Sequence, residues 1–137
     1  MTTIAAFLLV LGFLIFIHEM GHYLAARHVG VRVQAFSIGF PPKLIGKQIG
    51  ETEYRLSWLP VGGYVQLYGQ NMHDEDPDDP RNYAAKSILQ RLYILVAGPA
   101  MNLLVALLFM PLVYWVGVES PGYLFSSPVV HQVRPAT

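Results

Sequence analysis

A chain of 137 residues is long enough for one soluble domain at most, but its composition is not that of a soluble domain. Hydrophobic residues make up 53% and charged residues only 13%, against roughly 25% charged in a typical soluble domain. The formal net charge of +0 gives no electrostatic reason to expect a nucleic acid or another acidic polymer as partner. Cysteine is absent, which excludes disulfides, thiolate ligands and cysteine catalysis. Composition therefore indicates a membrane protein.

The first apolar segment extends from residue 4 to residue 26, and residues 1–17 contain no charged side chain. About 20 helical residues cross the hydrocarbon core of a bilayer, so we predict that residues 1–26 form a first transmembrane helix. A cleaved signal peptide is the alternative. Such a peptide begins with basic residues, whereas the three residues before the apolar segment include none.

The second apolar segment covers residues 92–118 and is also free of charge. It is long enough to cross a bilayer with some tilt, and we expect Pro99 and Pro111 to bend the helix rather than end it. Tyr114 and Trp115 near its end suit the membrane interface. The sequence thus predicts a second transmembrane helix over residues 92–118, followed by an external segment over residues 119–137.

Basic residues are distributed unevenly around these two segments. Eight of the 9 lysines and arginines lie between them. The positive-inside rule therefore places residues 27–91 in the cytoplasm and both termini outside.

The connecting region has its own predicted structure. Residues 31–40 have the composition of a strand that ends before two prolines, and residues 52–59 alternate as a strand does. Pro60-Val61-Gly62-Gly63 should turn the chain into a strand at 64–68, which gives a β-hairpin over residues 52–68.

An acidic stretch at residues 70–82 follows this hairpin and is typical of an exposed loop. Residues 83–92 have a helical period and lead into the second span. The predicted fold is a mainly α membrane protein, with two transmembrane helices joined by a cytoplasmic region that contains a membrane-associated β-hairpin.

The segment His18-Glu19-Met20-Gly21-His22 continues the first apolar segment. Residues four apart lie on one face of an α-helix, so both imidazoles can bind the same metal ion. Glu19 lies towards the same side, where a carboxylate can take a proton from metal-bound water. Ionisable groups within a bilayer are costly and mark functional sites. A solvated helix end is the alternative, but residues 4–17 alone are too short to cross a membrane.

An HExxH helix within the membrane resembles the site-2 protease family, the zinc intramembrane proteases. Further stretches resemble bacterial members of that family in the same order along the chain. They are FSIGF (36–40), YRLSWLPVGGYVQLYG (54–69), YAAKSILQRLYILVAGPAMN (83–102) with the signature residues Gly98, Pro99 and Asn102, and PVVHQVRPAT (128–137). The last stretch resembles the first strand of the PDZ domain that many bacterial members carry. The resemblance covers nearly the whole chain.

This resemblance implies a zinc-dependent intramembrane endopeptidase that cleaves single-span membrane proteins. His18 and His22 would bind Zn²⁺, and Glu19 would act as the general base. The lipid bilayer and a transmembrane protein substrate would be its partners, and it would be a multi-pass protein of the bacterial inner membrane.

The resemblance also implies substrate-binding residues. The hairpin, with Gly62, Gly63 and Tyr64 at its turn, would hold the substrate as an added strand, and a plain surface hairpin is the alternative. Asn102 would line the catalytic cavity, or it would instead form a hydrogen bond between helices.

One family feature is missing from the sequence. Catalytic zinc takes three protein ligands, and in this family the third is an aspartate of an Asp-Gly motif on a later span. No Asp-Gly pair occurs here. We therefore interpret the chain as the N-terminal portion of a longer protease, inactive alone, whose C-terminal half brings the PDZ domain and later spans. A non-catalytic membrane zinc-binding protein and a two-span structural protein with a coincidental motif are the alternatives.

Overall fold

A computed structural model describes residues 2–70, 76 and 78–117. In chain order it contains helix α1 (Thr2–His28), strand β1 (Val33–Ile49), strand β2 (Thr52–Leu67) and helix α2 (Ile88–Val116). Contacts divide the chain into two compact units, Met1–Ala106 and Leu107–Thr137. The predicted external segment and its PDZ-like strand lie outside the described residues, as do residues 71–75 and 77 of the predicted acidic loop.

Helix α1 matches the predicted first helix and extends two residues past its predicted end. Its end has a clear cause in the backbone. Gly30 adopts a positive φ of 72°, its amide donates to the Arg27 carbonyl, and the Val31 amide donates to the Ala26 carbonyl at 2.8 Å. This is the Schellman motif, in which a left-handed glycine reverses the chain and satisfies the last carbonyls.

Helix α2 begins at Ile88, four residues before the predicted start at residue 92. Ser87 and Gln90 form a capping box: the Gln90 amide donates to Ser87 Oγ at 3.3 Å, and the Ser87 amide donates to Gln90 Oε1 at 3.1 Å. The predicted start was the first residue of the charge-free segment. The helix instead begins at the Ser87 cap, which lies in the polar sequence before that segment. The helix continues through Pro99 and Pro111 to Val116, so neither proline ends it.

Strands β1 and β2 form one two-stranded sheet, with antiparallel pairing from Val33–Leu67 to Ile38–Gly63 and from Lys43–Ser57 to Ile49–Thr52. The register shows that both strands bend back along their length. Ala35 lies opposite both Gln66 and Glu53, and Ile38 lies opposite both Gly63 and Leu56. The first half of β1 therefore lies between two segments of β2, while the second half of β1, up to Ile49 opposite Thr52, pairs with β2 on one side.

The sheet confirms a hairpin, but its strands differ from the predicted ones. Residues 52–59 and 64–68 were predicted to pair with each other, whereas both pair with residues 33–38 between them. Residues 33–38 thus form a central segment of the sheet, and Val33, Ala35 and Phe36 within it are buried. Strand β1 also continues beyond its predicted end at residue 40. Pro41 and Pro42 lie at a register shift between Phe40 and Lys43, where no amide is needed for the ladder.

A small core joins α1, the sheet and the first part of α2. Its buried members come from all three elements: Tyr23, Ala25, Ala26, Val31, Val33, Phe36, Leu67 and Ile94. Tyr23 also donates or accepts a 2.7 Å hydrogen bond with the Tyr54 hydroxyl, which ties α1 to β2. Most apolar side chains of both helices are otherwise exposed. Each helix is long and apolar enough to cross a bilayer, and each contains an 18-residue window with a mean hydropathy of 2.2.

Candidate metal centre

The two histidines of the HExxH segment lie together on α1. Their Nε2 atoms are 3.2 Å apart, and their rings pack edge to face with centroids 4.8 Å apart. Two imidazole nitrogens that bind one tetrahedral zinc ion at about 2.0–2.1 Å lie roughly 3.4 Å from each other. The pair therefore fits two positions of a zinc coordination sphere without a large movement of either ring.

Helix α2 contacts the other nitrogen of each ring. His22 Nδ1 lies 2.7 Å from the Ile94 carbonyl oxygen. A carbonyl only accepts hydrogen bonds, so His22 Nδ1 carries the proton and its Nε2 keeps a lone pair for a metal. A backbone carbonyl in this role is the usual support of a histidine ligand.

The Asn102 side chain contacts His18 Nδ1, as the Ile94 carbonyl contacts His22 Nδ1. Its amide nitrogen lies 3.4 Å from His18 Nδ1, and its amide oxygen is buried with no hydrogen-bond partner among the described residues. Rotation of the amide by half a turn places that oxygen on His18 Nδ1 in the same volume. The oxygen then accepts a hydrogen bond from Nδ1, and the Nε2 lone pair of His18 is free for a metal.

Gly98 makes room for both imidazoles. A Cβ atom at this position would lie 2.4 Å from His22 Nε2 and 2.8 Å from His18 Nε2. On α1, Gly21 allows a similarly close approach, since its Cβ would lie 2.4 Å from the Ala97 carbonyl oxygen. Because Gly21 and Gly98 have no side chains, α1 and α2 can approach closely enough for the two imidazoles to contact α2.

Glu19 and Gly63 bring the sheet to the same site. A Cβ on Gly63 would lie 3.1 Å from Glu19 Cγ. Glu19 and His22 together line a cavity of about 170 Å³, whose wall includes Val65 and Tyr83. The Glu19 side chain therefore lies between the face of α1 that carries the two histidines and the strand segment 63–67.

The remaining predicted site residues lie farther from this chemistry. Gly62 packs on the ring of Phe40, where a Cβ would overlap the ring carbons. The Tyr64 hydroxyl accepts a 3.1 Å hydrogen bond from Arg55. The structure thus brings His18, His22, Glu19, Gly63 and Asn102 together, and it gives Gly62 and Tyr64 other contacts.

Sequence reasoning missed the role of Ile94 and noted Gly98 only as part of a signature. Ile94, Gly98 and Asn102 are spaced by four residues, so they share one face of α2. The sequence does contain a pattern that indicates Gly98 and Asn102: a small residue and a polar residue, four positions apart, on one face of an otherwise apolar helix. Ile94 acts through its backbone carbonyl, which no side-chain pattern reveals.

Within residues 2–70, 76 and 78–117, no three histidine, aspartate or glutamate side chains converge as a metal-binding group. The described part of the chain thus provides two nitrogen ligands and a neighbouring carboxylate. This donor set fits a zinc ion that completes its coordination from elsewhere.

A membrane-type helix that holds an HExxH pair against a second helix has the features of a zinc metallopeptidase. The chain matches the family model described as "Peptidase family M50" over residues 6–134, and it belongs to that family. Similar proteins include one from Chlamydia trachomatis that is 41% identical over 137 residues, covering 93% of this chain and 22% of the relative. One from Campylobacter jejuni is 51% identical over 105 residues, covering 74% of this chain and 28% of the relative.

A third relative, from Thermotoga maritima, is 38% identical over 122 residues and covers 87% of this chain and 24% of the relative. The names of all three begin "Putative zinc metalloprotease". The chain thus spans about a quarter of the length of the curated relatives it matches.

Proposed function

We propose that this chain is the N-terminal portion of a zinc-dependent intramembrane endopeptidase that cleaves single-span membrane proteins. The observation that carries the proposal is the imidazole pair: two Nε2 atoms 3.2 Å apart on an apolar helix, with α2 contacting the opposite nitrogen of each ring. Family membership supports a metallopeptidase, and the apolar helices support a membrane location.

His18 and His22 would hold a zinc ion through Nε2, while the Ile94 carbonyl and the Asn102 amide orient the two rings. Zinc, when bound, lowers the pKa of a bound water towards about 7 and polarises a substrate carbonyl. A third ligand comes from a part of the protein outside the described residues, by family resemblance an aspartate on a later span.

Glu19 acts as the general base. Its carboxylate lines the same cavity as His22, within reach of a water molecule that attacks the substrate carbonyl. The carboxylate accepts a proton from that water and passes it to the leaving amine, so the base is regenerated in each turnover.

The substrate binds as an added strand along residues 63–67. Among the described strand pairs, this segment has a partner on one side only, residues 33–38. Gly63 lies at its end, against Glu19, so a peptide paired along the other edge would run past the carboxylate. An extended peptide exposes its amides for attack and gains main-chain hydrogen bonds. Gly62, Tyr64 and Asn102 would then line the path of the substrate.

The protein lies in a bacterial inner membrane, with residues 27–91 in the cytoplasm and both termini outside. The eight basic residues between the helices support this orientation. Exposed apolar residues of the sheet, among them Ile45, Trp58 and Val61, would face the membrane surface. A C-terminal half with the PDZ domain and further spans completes the enzyme.

A membrane protein that binds zinc without turnover is the second candidate. The observation that favours it is the pair of nitrogen ligands, without a third, in the described part of the chain. Both candidates share the metal site, and they differ in the use of Glu19.

Glu19→Gln in the complete gene product separates the two candidates. Glutamine keeps the shape but cannot take a proton, so we expect cleavage of a single-span substrate in liposomes to fall at least about 100-fold, with zinc content unchanged. Asp78→Asn, the same chemical change at an exposed carboxylate, should leave cleavage at the wild-type rate. Near-normal cleavage by Glu19→Gln would remove the carboxylate from the mechanism. No cleavage by the wild type would favour the non-catalytic candidate.

A further inference from the structure

A second cavity, of about 380 Å³, lies where α1 ends and the sheet begins. Its described lining includes three arginines, Arg27, Arg32 and Arg81, and a single acidic residue, Glu51. Lys86 adds a further cation at the rim, since its Nζ lies 3.6 Å from the Cβ position of Gly30. The cavity shares no lining residue with the one beside Glu19.

Acidic residues do not neutralise these arginines fully. Arg81 donates to Glu51 at 2.9 Å and to Asp79. Arg32 approaches Glu51 only to 3.9 Å through Nε, and that buried atom has no hydrogen-bond partner among the described residues. Arg27 donates to a tyrosine hydroxyl. Two guanidinium groups therefore retain donors for an anion from outside the chain.

The donor chemistry favours a phosphate. Guanidinium groups present paired N–H donors in a planar fork that matches phosphate oxygens. The Arg32 side chain is 37% exposed, so a phosphate oxygen can approach its guanidinium from outside the chain. The three arginines carry more positive charge than the Glu51 and Asp79 carboxylates beside them neutralise.

The position favours a lipid as the source of the phosphate. Arg27 lies in the last turn of α1, directly after the apolar part of that helix. Val31, Val33 and Ile49 form an apolar wall beside the arginines, which suits the glycerol and first acyl carbons of a phospholipid. Basic pockets at the cytoplasmic end of membrane helices bind anionic headgroups.

We propose that this cavity binds the headgroup phosphate of an anionic phospholipid and thereby anchors the end of α1 to the membrane surface. A zwitterionic lipid suits the cavity less well, because its choline group would bring a positive charge among the arginines. The assignment to a lipid rests on the proposed span of α1, whereas the phosphate chemistry rests on the cavity alone.

The test uses the complete gene product in neutral detergent and reads ligand affinity from the shift in unfolding temperature. Short-chain phosphatidylglycerol, short-chain phosphatidylcholine and inorganic phosphate are titrated separately. We expect phosphatidylglycerol to bind at least tenfold more tightly than either of the others. Equal binding of phosphatidylcholine would overturn the anion site, and equal binding of inorganic phosphate would overturn the assignment to a lipid.

Variants locate the site. Arg32→Gln should weaken phosphatidylglycerol binding about fivefold, the effect of one basic residue near an anionic surface. Lys47→Gln removes the same charge at an exposed position that does not line the cavity, and it should leave binding unchanged. Glu51→Gln removes the competing carboxylate and should tighten binding severalfold, a gain that misfolding cannot imitate. Equal effects of Arg32→Gln and Lys47→Gln, or weaker binding by Glu51→Gln, would overturn the proposal.

Discussion

At the scale of single residues, the candidate metal centre depends on a glycine as much as on the two histidines. Gly98 lies directly under both imidazoles, and a methyl group there would overlap His22 Nε2 and His18 Nε2. Because protein interiors do not tolerate such overlap, the rings would have to turn away from each other. The two ligand nitrogens would then lose the separation that suits one metal ion.

Gly98→Ala should therefore lower the zinc affinity of the complete protein by at least about tenfold, the usual cost of a disturbed outer shell. Gly12→Ala is the matched control on the other helix, since within the described part of the chain its Cβ position meets no atom within 4 Å apart from the adjacent residues and its own helix backbone. That variant should bind zinc as the wild type does. Equal zinc affinity in the two variants, measured by competition with a chelator, would show that Gly98 does not set the position of the rings.

Much of the geometry of the candidate metal centre could be predicted at this scale. The spacing of His18 and His22 fixes their common face through helix geometry alone, and Glu19 follows from the same motif. The contacts to Ile94 and Asn102 could not be derived, because they depend on how α1 and α2 pack. Gly63 was predicted as a turn residue, and its contact with Glu19 depends on the fold of the sheet.

At the scale of elements, charged groups hold the doubled-back part of the sheet together. The Glu53 carboxylate accepts hydrogen bonds from Arg55 at 2.5 Å and from Lys43 at 2.7 Å. The Lys43 bond links β2 to the second half of β1, and the Arg55 bond lies within β2. The Arg55 guanidinium, followed by the Lys43 ammonium, lowers the pKa of Glu53 from 4.5 to about 2.

This lowered pKa predicts an acid dependence of stability. Because the folded pKa lies below the unfolded value of 4.5, the charged carboxylate stabilises the sheet above about pH 4.5, and this contribution is lost as the pH falls towards 2. Unfolding temperatures of wild type and Glu53→Gln, measured by circular dichroism between pH 2 and 6, should converge at low pH. A constant difference between them over that range would contradict the assignment.

The elements show where sequence patterns fall short. The two long helices were predicted from apolar length, which a membrane-type helix needs whatever its neighbours are. Strand pairing was less accessible: the alternation of residues 52–59 indicates a strand but does not identify its partner. Their partner is residues 33–38, which lie between the two segments of β2.

At the scale of the whole molecule, the distribution of basic residues makes a prediction about orientation. Residues 27–91 should face the cytoplasm. Asp76→Cys should resist a membrane-impermeant thiol reagent added to intact cells, and Ser126→Cys, beyond α2, should react. The 137 residues contain no cysteine of their own, so within them only the introduced cysteine can react. Strong labelling at position 76 in intact cells would reverse the orientation.

The central claim is that His18 and His22 together hold one zinc ion. The most direct measurement is the zinc content of the purified complete gene product, for the wild type and for three histidine-to-alanine variants. His28→Ala is the matched control, because His28 lies on the same helix and its ring packs against Tyr93. We predict one zinc per chain for the wild type and His28→Ala, and loss of bound zinc for His18→Ala and His22→Ala. Full zinc content in either His18→Ala or His22→Ala would contradict the claim.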